Sequence, residues 1–135
     1  MKRIILILAA AFLFTSCFDE GNVVVTNKVN NVMLENISFG KVGLHYGILL
    51  PGESTQKINL DSRNKGISFP ISGQFSFYMR AKGNMVYLKT EDIYTLHDDE
   101  LLKIEITGDT KVINPLTSAT RSGGESVPLR ELLEE

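Results

Sequence analysis

The chain has 135 residues, 43% hydrophobic and 22% charged, with one Cys and no Trp, which is ordinary globular composition with room for one domain. Its formal charge is −2 and no run or stripe of Lys and Arg follows Arg3, so it lacks the clustered cations that displace counterions from phosphates, and nucleic acid is excluded as a partner. One Cys allows neither an internal disulfide nor a Cys-based metal cluster, so the core must hold by packing alone.

The first element is an export segment. Met1-Lys2-Arg3 is a positive start, and Ile4 to Phe14 is an apolar run that ends at Thr15-Ser16-Cys17. A membrane-crossing helix needs about 20 apolar residues, and this run is too short. A short apolar run with a basic start and a small residue before the cut reads as a signal peptide over residues 1–16. Its removal takes Lys2 and Arg3 and no acid, which moves the formal charge from −2 to −4.

Phe14-Thr15-Ser16-Cys17 resembles the lipobox of bacterial lipoprotein signal peptides, Leu-(Ala/Ser)-(Gly/Ala)-Cys, with Phe14 in place of the usual Leu. The resemblance implies that the Cys17 thiol takes a diacylglycerol, that the peptide is cut before it, and that the new amino group is acylated with a chain such as palmitate. Each buried CH₂ adds about 0.8 kcal/mol, so several chains anchor stably. Residues 17–21 are then a tether. Asp19 and Glu20 within it are similar to the surface-export signal of Bacteroidota-type lipoproteins, which implies an outer-membrane location at the cell surface, with the periplasmic face as the alternative.

From residue 22 to 114 the chain breaks into short apolar stretches bounded by Gly, Asn, Pro and Asp, the punctuation of an all-β domain. Val23–Thr26 and Val32–Phe39 are the first strands, joined around Asn30-Asn31. In the second, Val32 and Leu34 share one parity and Ile37 and Phe39 the other, which predicts a bulge near Glu35-Asn36. Gly43–Leu50 runs into Pro51-Gly52, a type II turn. A hairpin return through Lys57–Leu60 is expected there, with Ile58 and Leu60 inward.

Gln74 to Thr90 is the clearest hairpin. Phe75, Phe77 and Met79 alternate with Ser76, Tyr78 and Arg80, and Val86 and Leu88 alternate with Tyr87 and Lys89. A type II′ turn on Gly83-Asn84 would set Met79 opposite Leu88 and Ala81 opposite Val86 on the inner face. It would also set Tyr78 opposite Lys89 and Arg80 opposite Tyr87 outside, each Tyr against a cation. Leu102, Ile104 and Ile106 form a last clear strand. About seven short antiparallel strands at this spacing predict a single immunoglobulin-like β-sandwich, an architectural analogy without the disulfide and Trp of antibody domains.

Residues 115–135 read differently. Pro115 to Glu125 is rich in Ser, Thr and Gly and predicts a flexible linker. Leu129, Leu132 and Leu133 after Pro128 form a short amphipathic tail, too short to stand alone as a helix and expected to be dispensable for folding.

Chemistry in the mature chain is sparse. His45 and His97 lie in no catalytic pattern, the only Cys is assigned to lipid, and no catalytic residue is identified. His45 opposes Leu44 and Tyr46 in parity and reads as an outward or rim residue. His97-Asp98-Asp99-Glu100 carries ligand-type side chains, but four successive residues converge on one ion only in an unusual loop, so no metal or other cofactor is expected. Gly40, Gly43 and Gly47 lack the Gly-Lys-Ser/Thr end of a phosphate loop. Asn36-Ile37-Ser38 matches a glycosylation sequon whose usual meaning lapses behind a bacterial lipoprotein signal. The outward Tyr78 and Tyr87 remain as a recognition surface, since phenol rings on a sheet suit sugar or protein contacts.

Val-Thr-Asn, then Leu-Glu-Asn-Ile-Ser-Phe-Gly, then Tyr-Gly-Ile-Leu-Leu-Pro-Gly-Glu-Ser looks like small Bacteroidota-type lipoproteins with a β-sandwich after the anchor. That resemblance spans residues 1 to about 113 and implies a fold and a compartment, with no activity to assign. A binding or accessory interaction module at the outer membrane is the leading reading, facing an envelope protein or a glycan. A pilin-like subunit that assembles by strand exchange is the alternative, and an enzyme is the least supported.

Overall fold

The computed structural model describes residues 18–63, 66–115 and 125–133. The signal peptide, Cys17 and linker residues 116–124 lie outside the described residues. The strands in chain order are β1 Glu20–Asn27, β2 Met33–Phe39, β3 Val42–Leu49, β4 Ile58–Asp61, β5 Ile71–Gly73, β6 Phe75–Ala81, β7 Asn84–Thr90, β8 Tyr94–Leu96, β9 Leu101–Ile106, β10 Lys111–Ile113 and β11 Val127–Pro128, and a 3-10 helix follows at Leu129–Leu132. The fold is an all-β sandwich. The seven expected strands are joined by short ones, of which β5, β8 and β11 carry no long alternating run to betray them.

One sheet has the order β11-β10-β7-β6-β2-β3, a second β4-β1-β9, and β5 pairs with β8 in a two-stranded ribbon. Alternation makes the core. Val23 and Val25 of β1, with Ile104 and Ile106 of β9, pack in one cluster with Leu34, Ile37 and Phe39 of β2, Phe75, Phe77 and Met79 of β6 and Leu88 of β7. Phe39 and Phe75 stack at 4.7 Å between ring centroids, and Tyr94 meets Phe75 edge-on at 5.3 Å. Each fully buried side chain of this size contributes about 1.5–3 kcal/mol.

The expected bulge is present: the β2 register slips between Glu35 and Ile37, and Asn36 sits at φ 51°. An extra residue there turns Ile37 and Phe39 inward after Leu34, which reconciles the two parities.

Four expectations need correction. First, β1 begins at Glu20, ahead of residue 22, and pairs in parallel with β9, from Asn22↔Leu101 to Asn27↔Ile106. Gly21 lies close to Leu96 and Phe69, so the proposed tether is already sandwich by that point. Second, β3 and β4 are not a hairpin. After Gly52 at φ 81°, Gly52 donates to the Asn27 carbonyl (2.6 Å), Asn27 to Glu53 (2.9 Å) and Thr55 to Val25 (2.8 Å). These bonds carry the chain across to the other sheet, where β4 runs antiparallel to β1 with Ile58 opposite Val23 and Asp61 opposite Glu20. Leu60 is buried and Ile58 packs against the core, as their parity predicts.

Third, the β6–β7 hairpin turns on Lys82-Gly83, with Ala81 opposite Asn84. Both turn residues have positive φ, 51° and 81°, as a type I′ turn requires. That turn places Phe77 opposite Leu88 and Met79 opposite Val86. The expected register would have placed Phe77 opposite Thr90, so the observed one matches apolar to apolar across the inner face. Moving the turn by one residue leaves every side chain on its predicted face and changes only its partner.

Fourth, the tail is part of the sandwich. β11 pairs with β10, Val127 opposite Val112, Leu129 donates to Thr110 and Arg130 to Gly108, both at 2.9 Å, and Leu129 is 0% exposed. The 3-10 turn puts residues three apart on one face, so Leu132 follows Leu129 against the core. Among the described residues the domain therefore runs to Leu133 and does not end at 114.

Asn27 ties these parts together. It is 0% exposed, its Nδ2 donates to Val32 (2.8 Å) and Leu49 (3.1 Å), and its Oδ1 accepts from the Val29 N–H (3.0 Å). A buried amide with donor and acceptor both satisfied fixes one arrangement of β1, β2 and β3.

Candidate functional site

The outer face of the six-stranded sheet is set by parity. On β6 it carries Ser76, Tyr78 and Arg80, and on β7 it carries Met85, Tyr87 and Lys89. In the observed register Tyr78 stands opposite Tyr87, Arg80 opposite Met85 and Ser76 opposite Lys89. The two phenol rings lie 5.1 Å apart at an interplanar angle of 46°. The expected cross-strand cations are elsewhere: among the described residues the only cation over a ring is Arg63, 4.0 Å from the Phe18 centroid.

On the neighbouring strand Glu35 stands opposite Tyr78, and Met33 opposite Arg80. The Glu35 carboxylate takes Arg80 Nη2 at 3.3 Å. The pair is partly buried, so both groups are held beside the tyrosines with less screening than a surface pair has. Arg80 Nε is buried without a hydrogen-bond partner.

One end of this face sinks into a depression of about 480 Å³ whose lining includes Lys41, Ser72, Gln74, Ser76, Tyr87 and Lys89. Gly40, at φ 58°, starts the β2–β3 turn that presents Lys41, and its N–H donates to the Gln74 carbonyl at 2.9 Å. A Cβ at Gly73 would lie 2.7 Å from Gly40 Cα, so only glycine lets the two backbones meet there. Gln74 Nε2 donates to the Thr90 carbonyl at 2.8 Å, and Ser72 and Thr95 share a hydroxyl bond at 2.9 Å. The rim is built of fixed backbone. Nothing local in the sequence joined Lys41, Gln74 and Lys89, because the ends of β2 and β5 and the strand β7 bring them together from distant stretches.

The other candidate positions scatter. Asp19 exchanges bonds with Ser62, its N–H to Ser62 Oγ at 2.9 Å and the Ser62 N–H to its carbonyl at 2.8 Å. Glu20 lies in β1, where its Oε2 accepts from Asn59 at 3.4 Å. Phe18, under Arg63, and Asp19 are thus the only described residues ahead of β1, and both are held to the domain. Asp61 grips Arg63 through Nε (3.3 Å) and Nη2 (3.0 Å), and that hydrogen bond, then the charge of Asp61, raises the guanidinium above its usual value.

His97 to Glu100 is a tight turn with Asp99 at φ 59°. Glu100 Oε2 accepts from the His97 N–H at 2.9 Å and Asp98 Oδ1 from the Glu20 N–H at 3.1 Å. These carboxylates serve backbone donors, and no group of three His, Cys, Asp or Glu converges among the described residues. His45 is a half-buried rim residue on β3. Its Nε2 is buried without a hydrogen-bond partner, at a shallow depression walled by Glu53 to Ile58.

Comparison of the chain with protein-family models, characterised proteins and solved structures finds no match among any of the three.

Proposed function

We propose that the chain is a lipid-anchored cell-envelope protein whose β-sandwich is a binding module, and that it reads its partner with the outer face of the six-stranded sheet. The observation that carries this reading is the Tyr78–Tyr87 pair, two rings 5.1 Å apart on one face, opening at Tyr87 into the depression. Paired phenols give rigid, amphipathic contact area at low entropic cost. The anchor is Cys17, and with Phe18 and Asp19 both tied to the domain the sandwich sits close against the outer membrane. Asp19 and Glu20 remain the basis for proposing the cell surface over the periplasmic face. The partner is an envelope protein or a glycan.

The test is an array of envelope glycans and peptides probed with the full chain in detergent, repeated with Tyr78→Ala and Tyr87→Ala. Ligands lost in both variants support the reading. Ligands retained at equal strength by both contradict it.

One observation favours the alternative of assembly through strands. β3 is an edge strand with Tyr46 80% and Ile48 49% exposed, and an apolar edge is a template for another strand. Size-exclusion chromatography of the detergent-solubilised chain separates the two, since strand-exchanged polymers elute far ahead of a monomer.

A further inference from the structure

We infer that the depression beside Tyr87 binds a carboxylated sugar, an inference that rests on the outer face being the recognition surface and names the chemistry of its ligand. Among the described residues the lining includes Lys41 and Lys89 and no Asp or Glu, in a chain that carries 16 acidic against 14 basic residues. A concavity with two cations and no anion is thus unlike the molecule as a whole.

Several cations of the domain are already held. Lys28 pairs with Glu105, Arg63 with Asp61, Arg80 with Glu35 and Arg130 with Asp109, and Lys82 donates to the Leu133 carbonyl. Lys41 and Lys89, like Lys57, Lys103 and Lys111, have no such partner among the described residues; what sets these two apart is that both line one depression. Two ammonium groups beside one depression repel each other, and an anion placed between them removes that repulsion and gains two attractions.

The register makes this arrangement. With the turn on Lys82-Gly83, Lys89 stands opposite Ser76 and Tyr78 opposite Tyr87; Lys89 is therefore drawn off the tyrosines and placed at the depression. On the other side the backbone that presents Lys41 is fixed by the Gly40–Gln74 bond and the close approach of Gly40 to Gly73. The walls are set before any ligand arrives, which lowers the ordering cost of binding.

The rest of the lining selects among anions. Tyr87 offers a ring on which the apolar face of a pyranose can lie, and Ser68, Ser72 and Gln74 offer hydroxyl and amide groups for ring hydroxyls. A bare inorganic anion would use the lysines and leave the ring idle. A sugar bearing a carboxylate, such as a uronic or sialic acid, uses both.

The experiment is titration calorimetry on the full chain in detergent micelles. The probes are an oligogalacturonide, a sialylated oligosaccharide, a neutral galactose oligosaccharide of matched length, and phosphatidylglycerol vesicles. One acidic sugar should bind at least roughly tenfold tighter than the neutral one, the equivalent of one charge-assisted contact, and weaken as salt screens the lysines. Lys41→Gln with Lys89→Gln, shown to be folded by circular dichroism, should remove that preference, so that the acidic and neutral sugars bind the variant alike. Equal binding of acidic and neutral sugars, or an unchanged preference in the Gln variant, overturns the inference. Binding of vesicles alone also overturns it, in favour of a lipid phosphate. Binding of no probe overturns it as well. In each of these cases the reading of the outer face stands or falls separately, on whether Tyr78→Ala and Tyr87→Ala abolish the array ligands.

Discussion

Tyr78 and Tyr87 face each other directly across the β6–β7 hairpin, their ring centroids 5.1 Å apart, while their chain neighbours Phe77 and Leu88 form the matching pair on the buried side. One hairpin thus presents an apolar pair to the core and an aromatic pair to the outside. The two faces are open to separate tests.

Phe77→Ala should cost about 3–5 kcal/mol, because it empties a fully buried ring site. Tyr78→Ala removes a side chain in a residue that is 37% exposed and should cost about 1 kcal/mol. A double-mutant cycle on Tyr78 and Tyr87 should return a coupling of about 0.5–1.5 kcal/mol. Denaturant titration reads all three, and a vanishing coupling would argue for a different register.

Removing residues 125–135 should lower stability by several kcal/mol, because Leu129 alone is worth about 2–5 kcal/mol on truncation and β10 loses one of its two strand partners. Leu129→Ala should reproduce much of the loss. An unfolding midpoint unmoved by the deletion would return the tail to the role of a dispensable appendage.

Asn27→Ala should destabilise by about 2–4 kcal/mol, since it leaves the Val29 N–H and the Val32 and Leu49 carbonyls without their bonds. Asn27→Asp is a sharper probe. It keeps the acceptor for Val29 but turns a donor to two carbonyls into a buried charge, so it should be at least as costly near neutral pH.

Burial, and then the charge of Asp92, raise the Tyr94 phenol above its ordinary value, which lies at about 10. A group whose pKa is raised in the folded state contributes stability that is whole below the unfolded pKa and lost as pH rises through the folded one. The denaturant midpoint should therefore fall faster above about pH 10 in the native chain than in Tyr94→Phe, which has no phenol to ionise. Identical alkaline limbs in the two proteins would contradict the assignment.

Much of the fold was legible because it rests on local alternation. The bulge at Asn36 announced itself as a parity slip, and the faces of Phe77, Tyr78, Tyr87 and Leu88 followed from a period of two. Pairing was less legible, since a turn on Lys82-Gly83 and one on Gly83-Asn84 bury the same residues, and only the match of Phe77 to Leu88 over Thr90 separates them. The parallel partnership of β1 with β9 joins stretches some 80 residues apart that carry no mutual signal in the string. The tail misled because Leu129, Leu132 and Leu133 suit a helical stripe as well as a 3-10 turn, and the strand pairing of Val127 hung on two residues. Of the candidate site, the tyrosines could be found from parity. Lys41, Gln74 and Lys89 could not, since their meeting depends on the tertiary approach of Gly40 to Gly73.

The most direct test of the recognition face is photo-crosslinking in intact cells, with a benzophenone amino acid placed at position 78 on the outer face of the large sheet or at position 103 on the outward side of β9. The account predicts an adduct from position 78, lost when Tyr87→Ala is added, and none from position 103. Equal adducts from the two positions, or an adduct from 103 alone, would contradict it.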